Sequence, residues 1–371
     1  MQRRPLLMAA ALAAVLPPRL AHAQSTDIVL GHTGVLGGPL GAPVKTMLAG
    51  ANLAFSEFNS QGGIGGRKLR VDSLDDELKP DKAVANYEKL LTDHKAFAFF
   101  GCVGSGTTAA AAKILKDSGA PLVGGFAVAD SAREKTRGSG YFVRATSGRE
   151  AEALVLHLTT IGITKIAVAH LDNPGGVEAL KLLATALDSR QLKPLASGGV
   201  KGDASNAVAV AKSLSLVEPQ AVIMYLGGAL GGELMKGMWA QGSHPSFYGM
   251  SIVPGELIAK VVGEKTRGLA ISQIVPYPWN EVDTQIKEYR RLATSSNVPL
   301  GYYSFEGYVN ALVMIDALKR TKELSRPRLH TALRATKMRI ASMDVDFTSG
   351  EHTGSRFVEL VQVTHDGRFV R

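Results

Sequence analysis

Cysteine is almost absent: the 371 residues hold one, Cys102. No intramolecular disulfide can form, so the fold must rest on its core. Aromatic residues are sparse, at 6%. Beyond the first residues, no uncharged run reaches the ~20 residues that a membrane-spanning helix needs. Repeats and low-complexity tracts are missing as well. Lys and Arg are scattered and lack interleaved aromatics, which argues against nucleic acid as a partner. His32, His94, His157, His170, His244, His330, His352 and His365 stand singly, with no pair at metal-ligand spacing. No lysine follows a glycine loop as a phosphate loop requires. Ser105 has Val103, not glycine, two residues before it, so the elbow of a serine hydrolase is not formed. We therefore expect no enzyme, no cofactor and no metal.

What is present suits a globular protein of about two domains, 45% hydrophobic and 20% charged. Residues 1–23 read as a signal peptide: Arg3 and Arg4, an apolar core from Leu6 to Leu16, and the small-x-small site Ala21-His22-Ala23. The expected location is periplasmic. Pro5 after Arg3-Arg4 leaves the choice between general and twin-arginine export open. Without Arg3, Arg4 and Arg19 the 42 basic residues become 39 against 33 acids, a surplus of six. That permits a modest preference for anionic ligands.

From Asp27 onward short apolar strands alternate with amphipathic helices, the pattern of parallel sheets covered on both faces. A strand over 27–31 leads into the glycine-rich loop HTGVLGGPLG, then a helix with Val44, Met47, Leu48, Ala51, Phe55 and Phe58 on one face. Strands follow at 69–74, around 96–100, at 121–126 and at 141–146. A second run has strands at 165–170, 194–200, 221–226 and 269–275. Helices are expected at about 282–295, 305–319 and 326–336, and the chain ends in β structure with a hairpin at Asp366-Gly367.

The stretch around which the chain is organised is AFAFFGCVGSG, followed by TTAAAAKILK. It reads as a buried strand, a glycine turn and a helix. The turn would place backbone N–H groups and the hydroxyls of Ser105 and Thr107 at a positive helix end, a cradle for an anion or a carboxylate. Gly104-x-Gly106-x-x-Ala109 is only a partial dinucleotide fingerprint, and it is not in the first βα unit. Cys102 is either a nucleophile or a small buried hydrophobe. His32, in the first glycine loop, is a candidate ligand contact. Asp75-Asp76 is either an acid–base pair or a set of turn and cap acceptors. Tyr225 and Trp279 line a cleft or pack in the core and hinge.

Five runs in order resemble the type I periplasmic solute-binding proteins, in the leucine/isoleucine/valine-binding branch that serves ABC importers: GANLAFSEFNSQGGIGGRKL, LDDELKPDKAVANYEKLL, FFGCVGSGTTAAAAKILKDSGAPLVGGF, SFEGYVNALVMIDALKR and SGEHTGSRFVELVQV. The resemblance implies two doubly wound lobes joined by three crossing strands, with a ligand cleft between them. Candidate crossings are 141–147, 275–279 and about 345–356. Lobe 1 is then 24–143 plus 276–345, and lobe 2 is 144–275 plus 346–371. It also implies a monomeric receptor that captures a small molecule, an amino acid or related carboxylate, by lobe closure and hands it to an ABC permease. The alternatives are a ligand-sensing receptor for a signalling partner and, less favoured, an exported hydrolytic enzyme. Carried over by position, the carboxylate site falls on Ser105, Gly106 and Thr107 and on the second loop at Phe126 and Ala127, which lacks the expected hydroxyl. The aromatic expected near Asn173-Pro174-Gly175 is missing. Ser251 stands where an acid would pair with a ligand ammonium. Glu306 either replaces that acid or is only a favourable charge at a helix start. An acid without an amino group would suit these losses.

Overall fold

The computed structural model describes residues 27–350, 352–364 and 367–371. The expected leader 1–23, and His365 and Asp366 of the last hairpin, lie outside the described residues. The chain folds into two α/β lobes, each with its own sheet. The first contains β1 (Ile28–Gly34), β2 (Leu69–Asp75), β3 (Ala98–Phe100), β4 (Leu122–Val123) and β5 (Gly140–Tyr141). All five run parallel, in the order β2-β1-β3-β4-β5. The second lobe repeats this order with β6 (Ile166–Leu171), β7 (Ser197–Val200), β8 (Ala221–Tyr225), β9 (Ser246–Gly249) and β10 (Ala270–Gln273), arranged β7-β6-β8-β9-β10. A separate antiparallel hairpin joins β11 (Lys337–Ile340) and β12 (Met343–Asp346). β13 (Glu359–Val363) and β14 (Phe369–Val370) extend the second sheet antiparallel beyond β10.

Every residue of β3, β6 and β8 is buried, as strands covered by helices on both faces must be. In the first lobe the Gly38–Ser60 and Tyr302–Arg320 helices pack in unusually close contact. A Cβ at Gly50 would lie 1.8 Å from the Ser304 carbonyl oxygen, and one at Gly307 would lie 1.8 Å from that of Met47. Two glycines placed reciprocally let the backbones touch, and no other residue fits either position.

The chain passes between the sheets after β5, after β10 and after β12. At the first passage Phe142 donates its N–H to the His352 carbonyl at 2.7 Å and accepts from Gly354 N–H at 2.7 Å, so the first and third passages run side by side. Trp279, on the second passage, stacks on Phe369 with centroids 5.6 Å apart and meets Tyr302 edge-on at 5.7 Å. It belongs to hinge packing and does not reach the cleft.

Several expected elements differ. β1 runs on through His32 and Thr33 to Gly34, because it pairs in register with β2 over its whole length, from Ile28 on Leu69 to Gly34 on Asp75. The strand expected over 121–126 keeps only Leu122–Val123 in the ladder. The helix after the glycine turn breaks: Ser105–Ala110 is followed, past Ala111, by Ala112–Ser118. The helix after β6 starts at Pro174. A helix at Leu230–Ala240, strand β9 and a helix at Gly255–Val262 fill the interval after β8, which the sequence pattern left unassigned.

Candidate functional site

The carboxyl ends of β1, β3, β6 and β8, where each sheet's strand order switches direction, face one another across a cleft. Open α/β sheets place ligands at such points. Its first wall is Val35, Leu40, Pro43, Val44, Leu78, Pro80, Val103–Thr107, Phe126 and Ala127; its second is Leu171, Asn173–Gly175, Tyr225, Gly227, Gly228 and Ile252. The enclosed space is about 130 Å³. That is close to the ~150 Å³ of a cavity that accepts benzene, so it holds a solute of one ring or a short branched chain. Among the described residues no Asp, Glu, Lys, Arg or His lines it. The polar side chains are those of Ser105, Thr107, Asn173 and Tyr225.

Ser105, Gly106, Thr107, Phe126, Ala127 and Tyr225 are thus brought together at the cleft as the sequence suggests. Their roles are unequal. The Ser105 hydroxyl oxygen accepts the Ala129 N–H at 2.9 Å, which fixes its rotamer and leaves its proton to donate. Thr107 is buried, and its hydroxyl donates to the carbonyls of Val103 and, at 3.0 Å, Gly104. It holds the turn together and does not face a ligand as a donor. With only six residues in the helix behind it, the turn also has little macrodipole. Phe126 meets Tyr303 edge-on at 5.5 Å and forms the floor. Tyr225 is 6% exposed, and burial pushes its phenol up to about 12, with Arg144 and Arg133 opposing the rise and Glu150 and Asp130 adding to it.

Three other candidates lie elsewhere. His32 is fully buried in β1, its Nδ1 3.2 Å from the Phe100 carbonyl and its Nε2 without a partner among the described residues. Burial lowers its pKa to about 4, so the ring is neutral. Ser251 and Glu306 sit beneath the floor in a buried ion network. Arg144, on the first passage between lobes, lies with its guanidinium 5.7 Å from the Phe126 ring centroid and is not part of the cleft lining. It pairs with Glu306 of the first lobe at 3.4 Å and Glu150 of the second at 3.4 Å, and donates to Ser251 Oγ. The Glu150 carboxylate also accepts from Ser251 N–H at 2.7 Å and Ser272 Oγ at 2.7 Å. Burial opposes the Arg144 charge, but Glu306 and Glu150 outweigh it and hold the guanidinium above its ordinary pKa. Glu306 is therefore committed to Arg144 and unavailable to a ligand ammonium.

Asp75 and Asp76 act as turn and cap acceptors: Asp76 takes the Thr33 hydroxyl at 2.9 Å and Leu78 N–H at 2.8 Å, and Asp75 takes Glu77 N–H at 2.9 Å. Cys102 is buried, and burial pushes its thiol up to about 12, which excludes a nucleophile.

The sequence pattern missed Leu40, whose side chain crosses to the second lobe: a Cβ at Gly227 would lie 2.9 Å from Leu40 Cδ2. It also missed that a helix begins at the cleft at Pro174. Asn-Pro is a strong N-cap and first-turn signal, and it would have placed that helix start at the end of β6. Further contacts hold the lobes together: Tyr303 Oη donates to the Ile252 carbonyl at 2.7 Å, Glu178 accepts from Ser131 N–H at 2.8 Å, and Asp130 accepts from Ser147 and Gly148 N–H at 3.0 Å.

Residues 27–368 match the family model described as periplasmic binding protein. The chain is 24% identical over 258 residues to the Leu/Ile/Val-binding protein of Escherichia coli K12, covering 68% of each protein. Among solved structures it is similar to a substrate-binding periplasmic protein from Ralstonia solanacearum, with TM-score 0.87, 25% identity, and 93% of this chain and 99% of that one covered. It shares its fold with an ABC transporter solute-binding protein from R. palustris solved with 4-hydroxybenzoate, with TM-score 0.80, 15% identity, and 93% and 95% covered.

Proposed function

The chain belongs to the periplasmic binding protein family, a family of solute receptors and not of enzymes, and from that premise we propose that it serves an ABC importer for a small apolar carboxylate without an ammonium group. One observation carries the ligand class: the cleft offers hydroxyls and amides at one side and apolar groups elsewhere, with no charged side chain in its described lining. A carboxylate can be met by neutral donors. A desolvated ammonium without a carboxylate partner costs several kcal/mol, and the acids nearby are bound to Arg144. The relatives named for leucine, isoleucine and valine support the carboxylate and the branched apolar tail.

In this reading the protein is exported through residues 1–23 and acts as a monomer. Lobe 1 is 24–143 plus 276–345, and lobe 2 is 144–275 plus 346–371. Ligand contacts from both lobes favour the closed form, which the permease recognises. The test is mass spectrometry of the solute released on denaturing the purified protein. An apolar acid lacking an amine is expected; a standard amino acid contradicts the ligand class.

A further inference from the structure

The turn that joins β2 to the Pro80–Thr92 helix reaches the cleft at Leu78 and Pro80. Its backbone is unusual. Glu77 and Leu78 have φ of 53° and 57°, two consecutive residues in the left-handed region without a glycine. Among the described residues ten non-glycines have positive φ, and Leu78 is the only one of them with a large apolar side chain. Elsewhere on the cleft the chain meets the same demand with glycine or alanine, at Gly104, Gly228 and Ala127. A bulky residue in this conformation is an outlier, and it persists only where its surroundings over-determine it.

They do so here. Asp76, fully buried, accepts Leu78 N–H on Oδ1 at 2.8 Å and the Thr33 hydroxyl on Oδ2 at 2.9 Å. Asn86 donates in turn to Thr33 Oγ1 at 3.0 Å, so the acid is anchored to β1 and to the following helix. Asp75 Oδ1 takes Glu77 N–H at 2.9 Å, and Lys79 N–H closes on the Asp76 carbonyl at 2.8 Å. Core packing does not require this frame, because Leu78 stays half-buried at the edge of the cluster that holds Val35, Val44, Val103 and Phe126. Its end lies against another cleft residue: a Cβ at Gly104 would fall 2.8 Å from Leu78 Cδ2.

We propose that Leu78 determines which solutes the cleft accepts: the turn presents its side chain to the apolar tail of the solute, and Asp76 is the positioning residue that holds the turn. This rests on the reading that the cleft takes a small solute with an apolar tail, but not on the absence of an ammonium group.

The experiment is calorimetric titration of the full mature chain with two pairs that differ in their tails, 4-methylpentanoate against propanoate and L-leucine against L-alanine. Wild type, L78A, L78M, D76A and L48A are compared. Wild type is expected to bind the long-tailed member of at least one pair about tenfold or more tightly. In L78A that preference should fall by about fivefold, as for roughly one buried methylene lost from contact. L78M refills the space and should keep it, and D76A should lower it as L78A does. Leu48 is buried in the same cluster and does not line the cleft, so L48A should lower the melting temperature and leave the preference unchanged. If only the amino acids bind, and L78A lowers their preference, Leu78 keeps its role and the ammonium-free reading falls. A preference unchanged in L78A, or lowered equally in L48A, overturns the role of Leu78 whichever pair binds. A D76A protein that loses stability but keeps the preference overturns the positioning role of Asp76. No preference in wild type, or no binding by any of the four compounds, overturns the whole proposal.

Discussion

Glu306, in the first lobe, and Arg144, on the first passage between the lobes, meet at 3.4 Å outside the cleft lining. The acid that position alone would nominate as a ligand partner instead balances an arginine on the passage between lobes. Arg144 is shared with Glu150 of the other lobe, so one guanidinium ties both lobes to the segment about which they turn. Removing one partner of a buried ion pair leaves an uncompensated charge, at about 3–5 kcal/mol. R144M, which strands both acids, should lower stability by about that amount in urea denaturation. E306Q, which leaves Arg144 its pairing with Glu150, should cost clearly less and leave solute affinity within about threefold, since Glu306 does not line the cleft. A loss of affinity in E306Q larger than its loss of stability would place that carboxyl at the ligand.

Ser105 and Thr107 were alike in the sequence, two hydroxyls in one glycine turn, and the structure separates them. S105A should weaken solute binding by about tenfold, the worth of one hydrogen bond to a charged group. T107A should leave affinity nearly unchanged and lower stability by about 1 kcal/mol, because its hydroxyl serves the carbonyls of Val103 and Gly104. Titration and thermal denaturation of the two single variants check this. The reverse pattern would mean that Thr107 turns into the cleft.

Glu256 provides the pH test. Its carboxyl, on the second-lobe helix Gly255–Val262, packs against Gly301 of the first lobe, where a Cβ would lie 2.8 Å from Oε1. Burial raises its pKa from 4.5 to about 7, with Lys260 on its own helix opposing. A raised acid favours the folded form while protonated. The penalty is absent below pH 4.5, grows as pH rises to about 7, and is constant above. Wild type should therefore lose roughly 3 kcal/mol relative to E256Q between pH 4.5 and pH 7 in denaturant titrations. Parallel profiles for the two proteins would refute it.

Cys102 should be silent to thiol reagents in the native state and react only after unfolding, since it is buried and its thiol is pushed up to about 12. Labelling with a chromogenic disulfide, with and without denaturant, measures this. Stoichiometric labelling of the native protein would show an opening that the fold does not contain.

Much of the architecture was legible because it is local. β8 is an unbroken apolar run that ends before Gly227-Gly228, β6 is apolar but for His170 and lies between Lys165 and Asp172, and the helix periodicity between them is clear. The interval from Leu230 to Val262 was not legible, because Gly231, Gly232 and Gly237 hide a helix. Those glycines exist for packing: a Cβ at Gly231 would lie 2.8 Å from Ile258, and one at Gly232 2.8 Å from Val261. His32 was misplaced because glycine neighbours look like a loop, whereas its full pairing with β2 is a property of a strand distant in sequence. At the site, the glycine turn with Ser105 was readable as a βα junction. The Arg144 network was not, since Arg144 and Glu306 are 162 residues apart. No periodicity records such a contact.

On the proposed function, this cleft accepts a small apolar acid and not an α-amino acid. L-leucine and 4-methylpentanoate differ only in the ammonium group, so titrating the wild-type protein with both isolates that group. 4-Methylpentanoate should bind at least about tenfold tighter, because the leucine ammonium would be buried without a partner. Leucine binding as tightly as the acid, or more tightly, would contradict it.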